Sequence, residues 1–74
     1  MGKKAIRTER LETTIDGVIY TGSRTIEGTR KLFQTIYYSG KSRYDGHAYQ
    51  SDSSMETWAK VILGELVRES KNSA

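Results

Sequence analysis

Two periodicities divide the chain. Over residues 53–70 apolar positions recur at helical spacing: Met55, Trp58, Ala59, Ile62, Leu63, Leu66 and Val67 form one broad stripe, and Lys60, Glu65, Arg68 and Glu69 fall away from it. Ser53, followed three residues later by Glu56, reads as a capping box at the start of this helix. The stretch before it is rich in Thr, Val, Ile, Tyr and Phe, and is punctuated by Asp16-Gly17, Glu27-Gly28 and Ser39-Gly40. Such pairs between β-prone runs are hairpin signals, because glycine accepts the positive φ of a tight turn. The spacing predicts strands at about 11–15, 18–26, 29–38 and 42–50. Gly22 interrupts the second of these and predicts a bulge or sharp bend.

The fold class is therefore α+β: an antiparallel three- to four-stranded β-meander followed by one C-terminal amphipathic helix packed on one sheet face. Residues 1–10 read as a flexible basic arm, 11–70 as the single domain and 71–74 as a frayed tail. The stripe places Trp58 near the centre of the helix–sheet core, where its loss is expected to unfold so small a domain.

One helix covers one face of such a sheet, so hairpin register decides what the other face carries. A two-residue Asp16-Gly17 turn puts Leu11, Ile15, Val18, Tyr20 and Ile26 on the helix side. An odd Glu27-Gly28 connection continues that side into Leu32, Ile36 and Tyr38. At Ser39-Gly40 a two-residue loop would set Ile36 against Arg43. A three-residue loop, Ser39-Gly40-Lys41, pairs Ile36 with Tyr44 and Leu32 with Ala48, and so separates apolar from charged residues. The second register is the expected one. It assigns Lys31, Phe33, Tyr37, Arg43, Asp45, His47 and Tyr49 to the open face, among threonines and serines.

Composition narrows the function classes. The chain has 74 residues, no Cys, no Pro and a single His. Disulfide and thiolate chemistry are excluded, and nothing clusters as a metal site. No cofactor, small-molecule substrate or catalytic group is expected, since neither a phosphate-cradling loop nor a convergent acid–base set is present. No apolar run reaches the ~20 residues of a membrane span, and the start lacks the apolar stretch of a signal peptide, so a cytoplasmic protein without a membrane partner is expected.

Twelve Lys+Arg against nine Asp+Glu give a net charge of +3, which permits an anionic partner. Bases can stack on Phe33, Tyr37 and Tyr49 while Lys31, Lys41, Arg43, His47 and the arm residues Lys3, Lys4, Arg7 and Arg10 hold phosphates. The first functional expectation is thus a small nucleic-acid-binding accessory or regulatory protein. The alternative is a protein–protein interaction module or homodimer, such as a mobile-element accessory protein acting on a host protein. In layout the chain is similar to the sheet-plus-helix DNA-binding units of phage-type integrase arms. None of their motifs occurs in these residues, and no functional residue carries over.

Overall fold

The computed structural model describes residues 5–50 and 52–72. Four strands, β1 (Ala5–Ile15), β2 (Val18–Gly28), β3 (Leu32–Tyr38) and β4 (Lys41–Tyr49), precede one helix, α1 (Asp52–Asn72). The strands form one antiparallel sheet in the order β1-β2-β3-β4, the expected meander. The first strand begins at Ala5 rather than at residue 11. Arg7 and Arg10 are therefore strand residues paired with Ile26 and Ser23, not part of a free arm, whereas Lys3 and Lys4 lie outside the described residues. Thr and Arg side chains suit a half-exposed strand, and an eleven-residue partner in β2 gives this segment a full ladder to join.

Two turns share one geometry. Asp16 and Gly17 have φ of 52° and 78°, and Ser39 and Gly40 have 48° and 80°. Both central residues at positive φ define the two-residue hairpin whose twist matches the flanking strands. At Asp16-Gly17 this is the expected turn, with Ile15 opposite Val18. The β2–β3 connection is odd, as expected, since Ile26 lies opposite Gln34 and Glu27 opposite Phe33.

At Ser39-Gly40 the expected three-residue loop is wrong. Tyr38 pairs with Lys41, Ile36 with Arg43, Thr35 with Tyr44 and Gln34 with Asp45. The even register is tolerated because its polar residues find partners on the helix side. Arg43 reaches two acids of the helix, Glu65 and Glu69, and Asp45 meets Gln34 at 3.0 Å. An irregularity between Leu32 and Gln34 then advances β4, so that Leu32 lies opposite Tyr49.

The helix packs across one sheet face. Its buried residues Ala59, Leu63, Leu66 and Val67 join Leu11 and Ile36 in the main core, while Met55 joins Ile26 and Tyr49 in a second cluster. Trp58 is not in either: it is 46% exposed on the outer side of the helix beside Val61. The stripe is narrower than expected, because the helix meets the sheet along the line Met55–Ala59–Leu63–Leu66. Ser53 lies inside the first turn, which opens at Asp52, and its carbonyl accepts a bond from the Thr57 hydroxyl. Gly22 marks no bulge. The β1–β2 ladder runs through it, and a Cβ there would stand 2.3 Å from the Tyr37 carbonyl oxygen and 2.8 Å from Leu63 Cδ1. Glycine fits there because the Tyr37 carbonyl of β3 and the Leu63 side chain of the helix already fill the space a Cβ would take.

Candidate interaction face

Strand alternation and the three registers fix the face turned away from α1. β1 contributes Ile6, Thr8, Arg10, Glu12 and Thr14. β2 contributes Ile19, Thr21, Ser23, Thr25 and Glu27, β3 contributes Phe33, Thr35 and Tyr37, and β4 contributes Ser42 and Tyr44. Thr8, Thr25, Thr35 and Tyr44 form one row across all four strands, and the Thr8 and Thr25 hydroxyls lie 3.2 Å apart. Phe33 stacks on Tyr44, with ring centroids 6.4 Å apart and planes 16° apart. Tyr44 is 58% exposed and Tyr37 42%. Ile6 and Ile19 stand out at opposite ends of the same face.

The electrostatics differ from the sequence expectation. Of the residues assigned to the open face, only Phe33 and Tyr37 are on it; Arg10, expected in the arm, joins them from β1 and is held by Glu12 at 2.8 Å. Arg43 and Lys41 lie on the helix side with Ile36 and Tyr38, their cross-strand partners. Tyr49 is buried, and His47 is an exposed residue of β4 whose ring stands edge-on to it. Lys31 sits in the exposed 29–31 connection with Arg30, at the end of the face beside Phe33. Arg7 faces the helix side and pairs with Glu9 at 2.8 Å. Tyr44, expected beneath the helix, takes the exposed aromatic position that the even register gives it.

Beneath this face, on the helix side, runs a polar chain that sequence reasoning missed. Glu9 accepts from Arg24 Nη2 at 3.0 Å. Arg24 Nη1 donates to Gln34 Oε1 at 3.4 Å, and Gln34 Nε2 donates to Asp45 Oδ2 and to the Met55 carbonyl. Tyr49 donates to Asp45 Oδ2 at 2.7 Å, and the His47 N–H donates to Oδ1 at 3.1 Å. Arg24, Gln34 and Asp45 are buried, and among the described residues no buried side-chain polar atom lacks a partner.

Burial of Asp45 opposes its charge, but the bonds from Gln34, Tyr49 and His47 outweigh it and hold the carboxyl below its usual range. Burial and the adjacent carboxylate push the Tyr49 hydroxyl well above its ordinary value. The signal for this chain was available, since Arg24 and Gln34 share the parity of Ile26 and Ile36. A buried Arg is so uncommon that apolar patterning passes over it.

Two hollows flank the helix. One, of about 310 Å³, runs beside β1 and is lined by Arg10, Leu11, Glu12, Glu56 and Lys60. The other, of about 360 Å³, lies on the outer helix surface against Ser54, Thr57, Trp58 and Val61. Among the described residues no three His, Asp or Glu converge in metal-binding geometry, and no helix is long and apolar enough to cross a membrane. Comparison with protein-family models, with curated proteins and with solved structures finds no match.

Proposed function

We infer that this protein is a non-catalytic recognition module that binds a partner protein through the bare face of its sheet. One observation carries the reading: Phe33, Tyr37 and Tyr44 stand exposed or half-exposed in a field of Thr and Ser hydroxyls, where Arg10, the one cation of that face among the described residues, is held by Glu12. Exposed tyrosine and phenylalanine on a charge-poor surface match the aromatic enrichment and charge depletion of protein-interface centres. Phosphate binding needs unpaired cations beside the stacking rings.

The nucleic-acid reading keeps one supporting observation, the Arg30–Lys31 connection next to Phe33. On that reading this loop supplies the phosphate contacts and Phe33 and Tyr44 stack with bases.

The two readings separate in a single comparison. Wild type and a Tyr37→Arg, Tyr44→Asp double variant are used as bait for co-purifying protein. Both are also titrated against single-stranded and duplex oligonucleotides by fluorescence anisotropy at low salt. The expected result is a protein captured by wild type and lost from the variant, with unchanged circular dichroism and no anisotropy change. Salt-dependent oligonucleotide binding that Lys31→Ala weakens would overturn it in favour of nucleic acid.

A further inference from the structure

We propose that two copies of this chain pair along β1, antiparallel about a two-fold axis at Leu11, to make one eight-stranded sheet with both helices on the same side. β1 is a sheet edge eleven residues long. The two-residue turn closes on Ile15 and Val18, which commits the main-chain groups of the odd positions of β1 to β2. Those of Thr8, Arg10, Glu12 and Thr14 therefore point outward. Such an edge is a template for another strand.

The charges on β1 choose the occupant and the register. In an antiparallel pair that keeps both helices on one side, even positions oppose even positions and odd oppose odd. With Leu11 opposite its own copy, Arg10 faces Glu12 of the second copy and Glu12 faces Arg10, while Thr8 faces Thr14. The overlap covers residues 7–15, and the outward groups supply about eight main-chain hydrogen bonds. Neighbouring registers fail on charge. Centring on residue 9, 10 or 12 sets Glu9, Arg10 or Glu12 against itself. Centring on Thr8 matches Arg7 with Glu9 but sets Arg10 opposite Ile6, and it draws on a Glu9 that is held by the buried Arg24.

The groove beside β1 has the same symmetry. Its walls are Arg10, Leu11 and Glu12 on the strand and Glu56 and Lys60 one turn apart on the helix. A two-fold axis at Leu11 turns the Glu56–Lys60 flank of one helix toward the reversed flank of the other. The groove thus becomes a shared, charge-matched seam. In the monomer Arg10 and Glu12 satisfy each other on the surface at 2.8 Å; in the pair each exchanges that partner for one across the axis.

The rival role for these charges is to protect the edge from pairing. Charge reversal distinguishes the two. Sedimentation equilibrium of the full chain over a concentration series should show a monomer–dimer equilibrium. Arg10→Glu sets like charges against each other twice per dimer and should weaken association roughly tenfold or more. Adding Glu12→Arg to it restores both pairs and should recover the dimer. Circular dichroism and melting establish that each variant is folded, and Lys60→Glu gives an independent weakening from the helix flank. A wild type that stays monomeric at high micromolar concentration would overturn the proposal while leaving the open-face reading untouched. So would association that survives Arg10→Glu, or a double variant that fails to recover.

Discussion

Gln34 is the residue on which the helix side of the sheet turns. Its amide accepts from Arg24 and donates to both Asp45 and the Met55 carbonyl, so it joins three strands and the start of the helix. Gln34→Leu has nearly the right shape for its site between Leu32 and Ile36 but leaves a buried guanidinium N–H, a carboxylate and a carbonyl short of partners. A loss of roughly 2–4 kcal/mol is expected in urea titration, with an unchanged slope. Asp45 gives the same network a pH signature. Its folded pKa is lowered from 3.8, so the stability it contributes is fully present above that value and is lost as pH falls through the folded pKa. Tyr49 acts at the other limit: its folded pKa is raised above 10.0, so its contribution holds below pH 10 and is lost as pH rises beyond it. Melting temperature should be flat through neutrality and fall on both sides. Asp45→Asn should remove most of the acid-side fall that depends on this network.

At the scale of elements, Gly22 of β2 sits where the β3 main chain and Leu63 of the helix leave no room for a side chain. A Cβ there would press on the Tyr37 carbonyl, a main-chain atom that cannot turn aside, and on Leu63. Gly22→Ala should therefore fall at the upper end of the ~1–3 kcal/mol seen for overpacked sites, read as a lowered denaturation midpoint. Sequence periodicity foretold the helix, four strands, the order of the meander and two of three registers. These features rest on long apolar patterns and on Asp-Gly turn chemistry. The third register was hidden because apolar segregation was the wrong criterion at β4. Ser39 takes the positive φ that Asp16 takes, and Arg43 and Asp45 are accommodated by Glu65, Glu69 and Gln34 rather than by water. Those partners are remote in sequence, and no local pattern announces them. The even register moves Tyr44 to the open face and takes Arg43 from it. Half of the candidate site was thus legible, its aromatics at Phe33 and Tyr37, while its charge was not.

For the whole molecule, stabilising contacts and exposed aromatics lie on opposite sides of a single sheet. The helix, both apolar clusters and the Glu9–Tyr49 polar chain occupy one side. The other side carries rings and hydroxyls that touch mainly their strand neighbours. If the open face is the recognition surface proposed above, this separation makes folding and recognition independently mutable. Truncating Tyr37 and Tyr44 to Ser removes cross-strand contacts worth ~0.2–1 kcal/mol per pair. For a domain this size 1 kcal/mol shifts the melting midpoint by about 4–8 °C. The double Ser variant should therefore melt within several degrees of wild type and remain cooperative, yet lose its partner. Gln34→Leu should do the reverse, melting far lower while holding its partner at temperatures where it is still folded. Measuring melting and capture on both variants gives a two-by-two comparison. If the Ser variant unfolds as readily as Gln34→Leu, the open-face aromatics are structural, and half-exposed Phe33 with exposed Tyr37 and Tyr44 no longer argue for a recognition surface.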